Sequence, residues 1–375
     1  MRICVIKNAE SEKISAVYRV VNAILEDGHE CIILSRNRKR NSNGIHKKTI
    51  EINDKIVDVY EISIESEIGG GLKNIFNLTK YINTVYKRLN KNKGLYDIIH
   101  AFDLDAGLAA YRSSKLTSKP YVYHIADFYV DSRNGIPSIV EKYIRNIEFK
   151  VINNAKSTIV CTEQRIRQIQ GSNPKELVVV HNAPAIEEKS NIINNIDNFI
   201  KIAYVGGLSE NRFIKEMIDI VKNDKRYKLT IAGTGPLKDY VIESSERYSN
   251  IIYKGQVEYK ESIEIYRDCD IIFAIYNPII KNHRYSAPNK FYEAMMLSKA
   301  IIVARGTGVD NLVEKNNMGI IVNYCTKDVK ESLDYLYDSR DSLKMYQINA
   351  HNSYPNYSYK IMSERIKKIY RYDKK

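Results

Sequence analysis

Short apolar runs alternate along almost the whole chain with stretches whose apolar positions recur every three or four residues. In the first half, Arg2–Ile6, Glu30–Leu34, Ile56–Ile62, Ile98–Ala101, Tyr121–Ile125, Ser157–Cys161 and Leu177–Val180 read as strands. They are rich in Ile and Val, and several are apolar on both faces, as parallel strands covered by helices above and below must be. Between the first two, Ile14–Glu26 sets Val17, Val20, Val21, Ile24 and Leu25 at helical spacing and stops at Asp27-Gly28, a normal helix end. Glu187–Asn198 then breaks the pattern with a polar, Asn-rich stretch without periodicity. The alternation restarts with strands at Ile200–Val205, Lys228–Ala232, Ile251–Tyr253, Ile271–Tyr276, Ala300–Ala304 and Gly319–Val322, and with helical segments at Tyr259–Arg267 and Pro288–Leu297. Two such runs predict an α/β protein of two Rossmann-like domains with parallel sheets facing across a central cleft. The expected boundaries are 1–185, a linker over 186–199, a second domain over 200–355, and a C-terminal helix over 356–375 that packs back on the first. Open sheets of this kind bind ligands at the carboxyl ends of their strands.

Composition narrows the class. With 375 residues the chain has room for about two domains, and 44% hydrophobic against 27% charged residues argues against extended disorder. No apolar run approaches the roughly 18–20 residues needed to cross a bilayer. Met1–Asn8 offers only Ile3–Ile6 as an apolar core, too short for a secretory signal, so a cytoplasmic location is expected. The five cysteines (Cys4, Cys31, Cys161, Cys269, Cys325) include no C-x-x-C pair and read as buried free thiols. The net charge of +13 is shared between the halves and forms no basic tail of the kind that binds nucleic acid. One cluster stands out: Arg36, Arg38, Lys39, Arg40, Lys47 and Lys48. It reads either as a solvated surface or as a membrane- or acceptor-facing patch that attracts anionic lipid headgroups or polyphosphate.

Three motifs carry candidate chemistry. Gly233-Thr-Gly235-Pro follows a strand and precedes a helix, but Lys238 occupies the third glycine position of a dinucleotide fingerprint. Such a turn can still cradle a phosphate on backbone N–H groups. Asp103-Leu-Asp105 lies between a strand and a helix, where one aspartate is expected as an N-cap rather than as a metal ligand. Pro288-Asn289-Lys290-Phe-Tyr-Glu293 places a cation and a carboxylate on neighbouring positions of one helix face at a helix start. That pairing suits a ligand bearing phosphate and vicinal hydroxyls, although a surface ion pair gives the same spacing.

The ordered set of segments resembles a known family. Tyr204-Val-Gly206-Gly207-Leu-Ser, Ile231-Ala-Gly-Thr-Gly-Pro, Tyr253-Lys-Gly-Gln-Val, Tyr266-Arg-Asp-Cys-Asp-Ile-Ile, Pro288-Asn-Lys-Phe-Tyr-Glu-Ala-Met and Met318-Gly-Ile-Ile-Val resemble the donor domain of family 4 retaining glycosyltransferases of the GT-B fold. Gly28-His-Glu-Cys, Tyr96-Asp-Ile-Ile-His-Ala-Phe-Asp-Leu-Asp and Tyr121-Val-Tyr-His-Ile-Ala-Asp-Phe-Tyr resemble the acceptor domain of bacterial capsule and exopolysaccharide members. By this resemblance Glu293 is the nucleotide ribose contact. The family's other donor glutamate falls on Tyr285. Of the Arg and Lys that members bring to the diphosphate, Gly207 stands at the first position and Arg212 near the second, which leaves Lys290 as a replacement cation. The family's frequent acceptor-domain histidine aligns with Ala126, with Asp127 after it and His124 before it, so the identity of the catalytic side chain stays open.

The resemblance implies a cytoplasmic enzyme that moves a sugar from a nucleoside-diphosphate sugar, a UDP-sugar being expected, to a glycan or lipid-linked acceptor at the inner membrane face. Retention and a role in surface polysaccharide synthesis are implied with it. Arg212, Lys290 and the Gly206-Gly207 backbone would stabilise the leaving diphosphate, the base would lie near Gln256-Val257, and neither metal nor cofactor is required. The alternatives are a nucleotide-sugar 2-epimerase of the same fold and a non-catalytic basic scaffold or nucleic-acid-binding protein, although the 29 tyrosines do not alternate with basic residues as a stacking platform would require.

Overall fold

Each Ile/Val-rich run forms a strand, and each 3.6-periodic segment forms the helix that returns the chain to the next parallel strand. The computed structural model describes residues 1–10, 15–38, 44–65, 74–133, 135–186 and 198–371. These residues divide into two units, one of Met1–His181 with the chain from Met362 onward, the other Asn182–Ile361.

Unit 1 contains β1 (Arg2–Ile6), α1 (Ser15–Glu26), β2 (Glu30–Asn37), β3 (Gly44–Ile52), β4 (Lys55–Ser63), α2 (Ile75–Lys91), β5 (Ile98–Phe102), α3 (Asp103–Thr117), β6 (Tyr121–Ile125), α4 (Ser138–Asn154), β7 (Ser157–Val160), α5 (Gln164–Gln168) and β8 (Leu177–Val179). The strands form one sheet in the order β3-β4-β2-β1-β5-β6-β7-β8. All neighbours are parallel except β3 and β4, an antiparallel pair at the edge. β3 is an addition to the sequence expectation, which found no apolar run there. The hairpin signal was present as the Asn53-Asp54 turn, where both residues take positive φ (48° and 58°), the mirror-image turn that matches strand twist.

This hairpin disperses the predicted basic patch. Lys47 and Lys48 are successive residues of β3 and so project to opposite faces, Lys47 pairing with Asp58 and Lys48 with Glu61, each at 2.8 Å. Arg36 is only 2% exposed, because β2 runs on past Leu34 and carries it into the interior. Lys39 and Arg40 lie outside the described residues. The six residues therefore do not form one exposed patch. The thiols need a smaller correction: Cys4, Cys31, Cys161 and Cys269 are buried, but Cys325 is exposed and its Sγ lies 3.1 Å from Asp328 Oδ1.

Unit 2 contains β9 (Ile200–Val205), α6 (Ile214–Val221), β10 (Tyr227–Ala232), α7 (Lys238–Arg247), β11 (Ile251–Tyr253), α8 (Tyr259–Arg267), β12 (Ile271–Ala274), α9 (Asn289–Met296), β13 (Ala300–Ala304), α10 (Asp310–Asn316), β14 (Gly319–Val322), α11 (Thr326–Asp338) and α12 (Arg340–Ser353). Its six strands are all parallel, in the order β11-β10-β9-β12-β13-β14. Tyr204, Phe273 and Ile302 from its central strands pack with Phe213, Met217 and Leu333 in one apolar cluster.

The last helix, α13 (Tyr359–Arg371), belongs to unit 1 from Met362 onward. Arg365 donates to the Val179 carbonyl at 2.7 Å, Lys367 pairs with Glu26 at 3.0 Å, and Arg371 pairs with Asp27. Tyr370 is buried, with its hydroxyl 2.5 Å from His100 Nδ1 on β5. Among the described residues no helix is long and apolar enough to cross a membrane.

Candidate active site

The turns after β9, β10 and β11 are laced together by their backbones. Gly206 N donates to Ala232 O at 3.0 Å, and Gly233 N donates to Gly255 O at 2.7 Å. Gly233 (φ +131°) admits no side chain, because a Cβ there would stand 1.9 Å from Gly206 O. Gly235 sits as close, with a Cβ position 2.4 Å from Leu208 O. Gly233→Ala is therefore expected to pull these turns apart. The check is a lowered melting temperature together with loss of nucleotide binding, whereas a folded, binding-competent variant would show that the contact is dispensable. Gln256 and Val257 follow Gly255 at the same edge, Gln256 exposed and Val257 half-buried.

Against these turns lies the start of α9. Pro288 is its N-cap, one position before the predicted first turn, and Asn289 is the first helical residue. Lys290 and Glu293 are 6% and 5% exposed, so they are not a surface ion pair. The Lys290 Nζ sits 3.3 Å from the centroid of the Tyr204 ring and has no hydrogen-bond partner. It also lies 3.6 Å from where a Cβ of Gly206 would be. Burial, and then the nearby Arg212, push its pKa well below that of an ordinary lysine, and Glu293 opposes the shift. Arg212 ends a single 3-10 turn, Glu210–Arg212, and stacks 4.0 Å over the Tyr276 ring. Asn277 holds that turn in place, its N donating to Asn211 O and its Nδ2 to Asn211 Oδ1, both at 3.2 Å. Tyr285 is half-buried at the end of another 3-10 turn, Lys281–Tyr285.

Gly206, Gly207, Arg212, Lys290 and Glu293 thus gather at the carboxyl edge of the unit 2 sheet, around the rings of Tyr204 and Tyr276. Those two rings were absent from the sequence expectation, which counted both tyrosines as strand residues. Their signal was position: each stands at the end of an apolar run, Tyr204 just before Gly206-Gly207. A buried lysine Nζ without a hydrogen-bond partner, beside an arginine and a glycine turn, is an arrangement for an anion.

At the carboxyl edge of the unit 1 sheet, Asp103 takes a left-handed φ of 58° and is not an N-cap of α3, whose N-cap position is Phe102. Instead its Oδ1 accepts from Ala126 N (2.9 Å) and Asp127 N (3.0 Å), and its Oδ2 pairs with Lys7. Burial disfavours the Lys7 charge, but Asp103, Asp127 and Asp105 outweigh it and hold the ammonium above its usual pKa. The Asp127 side chain is 56% exposed and lies 3.4 Å from the Nη2 of Arg165, which is itself 2% exposed. Arg165 further donates to Cys161 Sγ and Gln168 Oε1, each at 2.9 Å. Sequence reasoning missed Lys7, Asp103 and Arg165 as supports of Asp127. His124, the other candidate, lies apart from it: its ring stacks on Phe102 at 4.4 Å, its Nδ1 is 3.1 Å from His100 Nε2, and burial keeps it neutral. Of the two candidates, Asp127 is the exposed one.

Residues 15–187 match the family described as Glycosyltransferase Family 4, and residues 185–353 match Glycosyl transferases group 1. The chain is built of two glycosyltransferase-family domains. No curated protein sequence matches it. Solved structures match in fold at low identity. Sucrose-phosphate synthase from Thermosynechococcus elongatus is 12% identical with a TM-score of 0.76, over 99% of this chain and 98% of the other. Anabaena HepE in complex with UDP and glucose is 14% identical with a TM-score of 0.69, over 99% of both chains. A trehalose-6-phosphate synthase, analysed for glycosyl transfer with retention, is 11% identical with a TM-score of 0.72, over 99% of both. The chain thus has the GT-B fold.

Proposed function

We propose that this glycosyltransferase moves a sugar from a UDP-sugar to a hydroxyl of a glycan or lipid-linked saccharide, with retention, in the synthesis of a surface polysaccharide. The observation that carries the reading is the unpartnered Lys290 Nζ, buried on the Tyr204 ring beside Gly206. A diphosphate would give the Lys290 Nζ the acceptor it lacks, with the Arg212 guanidinium and the Gly206-Gly207 turn beside it, and would gain most from these groups as its leaving charge develops. In this reading Glu293 accepts from the vicinal ribose hydroxyls, and Gln256-Val257 receive the base. Asp127, steadied by Arg165 and by the Asp103-bound amides, is assigned to orient the acceptor hydroxyl. UDP in structures of similar fold supports the choice of nucleotide. Retention and the polysaccharide role rest on the sequence resemblance.

Incubation with UDP-sugars, with and without oligosaccharide or lipid-linked acceptors, tests this reading directly: acceptor-dependent UDP release with a glycosylated product is expected. Acceptor-independent epimerisation of the donor would instead mark a 2-epimerase. Glu293→Ala is expected to weaken UDP binding by about 1.5–3 kcal/mol, the worth of a hydrogen bond to a charged group. Unchanged UDP affinity in a folded variant would remove the ribose assignment. Because Lys290 and Arg212 share one ligand, the double alanine variant should cost less in kcat/KM than the two single losses combined. Strict additivity would argue that they act on different groups.

A further inference from the structure

A second pair of buried donors without acceptors lies in unit 1. Arg36, near the end of β2, spends its Nε on Ile64 O and its Nη1 on Asn8 Oδ1, both at 3.2 Å, but its Nη2 has no partner. Tyr81, on α2, is fully buried, its ring lies 5.5 Å from the Arg36 Cζ, and its hydroxyl is also without a partner. A purely structural arginine looks different in this same domain: Arg165, equally buried, has Nε, Nη1 and Nη2 all engaged. Leaving two adjacent buried donors unmade is costly and calls for an acceptor.

The surroundings favour a negative one. Arg38, half-exposed, donates its Nη2 to the Asn8 carbonyl at 3.3 Å, so two guanidiniums converge on Asn8. Asp105, the carboxyl that acts on Arg36, is held by Asn8 Nδ2 at 2.6 Å, and burial pushes its pKa up, which weakens it as a counter-charge. Asn8 and Arg38 form a half-exposed rim over Arg36.

We propose that Arg36, Tyr81 and Arg38 form a subsite for an anionic oxygen group of the acceptor, a phosphate or a carboxylate. An oxyanion would give the guanidinium and the neighbouring phenol the acceptor each lacks, whereas a neutral sugar hydroxyl would leave the paired cations unbalanced. The inference rests on the assignment of the acceptor to unit 1, and it makes the acceptor a phosphorylated or acidic saccharide.

The test is calorimetric titration of the full chain with methyl phosphate and with acetate, in a Lys290→Ala/Arg212→Ala background that removes the other anion-binding candidate. One saturable site is expected there. Arg36→Gln should weaken it roughly 10- to 100-fold and Tyr81→Phe roughly three- to ten-fold. Tyr81→Phe should keep or raise the melting temperature, since its hydroxyl bonds nothing in the free protein, so it remains informative if Arg36→Gln fails to fold. Tighter methyl phosphate assigns a phosphorylated acceptor, and tighter acetate an acidic sugar. Absence of saturable binding, or equal affinity in folded Tyr81→Phe and Arg38→Gln variants, overturns the proposal. UDP binding to the wild-type chain is measured separately: its loss would count against the donor reading alone, and failure of the phosphate and acetate titrations against the subsite alone.

Discussion

Lys290→Met is expected to raise the stability of the ligand-free protein while lowering kcat/KM by roughly 10²–10³-fold. The two effects have one origin. Burying an amine without a partner is unfavourable by an amount on the order of a few kcal/mol, and methionine fills the same space without that term. A preorganised cation at a leaving diphosphate, conversely, is worth about 10²–10³ in rate. The pH dependence follows from the depressed pKa of Lys290. Between that value and the ordinary 10.5, the unfolded chain binds more protons than the folded one, so this residue makes stability rise with pH across that window. Methionine removes the slope. Diphosphate binding should favour the charged form and raise this pKa again, so UDP association should take up protons at pH values between the free and the bound pKa in the wild type and not in the variant. Calorimetry in buffers of different ionisation heat measures it. A stabilised variant with unaltered kcat/KM would make Lys290 a packing residue and nothing more.

Glu148 should produce the opposite slope. It lies on α4, fully buried, accepting from Tyr129 N at 3.2 Å and bonded to the Tyr123 hydroxyl at 2.7 Å. Burial, opposed by these hydrogen bonds, pushes its carboxyl up to about 8 from an ordinary 4.5. The folded protein therefore keeps a proton that the unfolded chain releases, and stability falls as pH rises from about 4.5 to about 8, by an amount on the order of a few kcal/mol. Glu148→Gln retains a carbonyl for Tyr129 N and an amide for the tyrosine oxygen, with nothing to titrate. Its melting temperature should change less between pH 5 and pH 8 than that of the wild type, with the largest gain over wild type near pH 8. Parallel pH profiles for the two proteins would rule out Glu148 as the titrating group.

Most of the framework could be read from apolar periodicity, because a strand buried on both faces has little choice of residue. Ile200–Val205, Ala300–Ala304 and Gly319–Val322 were legible to the residue. β3 was not, since an edge strand is half solvated and spells its face in His46, Lys48 and Ile50 rather than in a hydrophobic run. The Lys290–Glu293 spacing placed both residues on α9, but spacing cannot say which side of a helix is covered, so burial of the pair emerged only from the packing of α9 on β12 and β13. Asp103 shows another limit. Its chemistry was visible, but its left-handed backbone, which sends the carboxylate to the Ala126 and Asp127 amides instead of its own helix, depends on a strand about twenty residues away in sequence.

The placement of α13 has a consequence for biosynthesis. The last helix supplies unit 1 with the Tyr370 hydroxyl against His100 and the arginine that reaches Val179. About 180 residues separate the two pieces of that unit. At about 5–20 residues per second, a ribosome needs roughly 10–40 s to make the intervening chain. Throughout that interval the first sheet stands in the cell with His100 and the flank of β8 uncovered, exposed to chaperones and proteases, and unit 2 itself is complete only as α13 is being made. The first part of the protein to be made is thus the last to be finished.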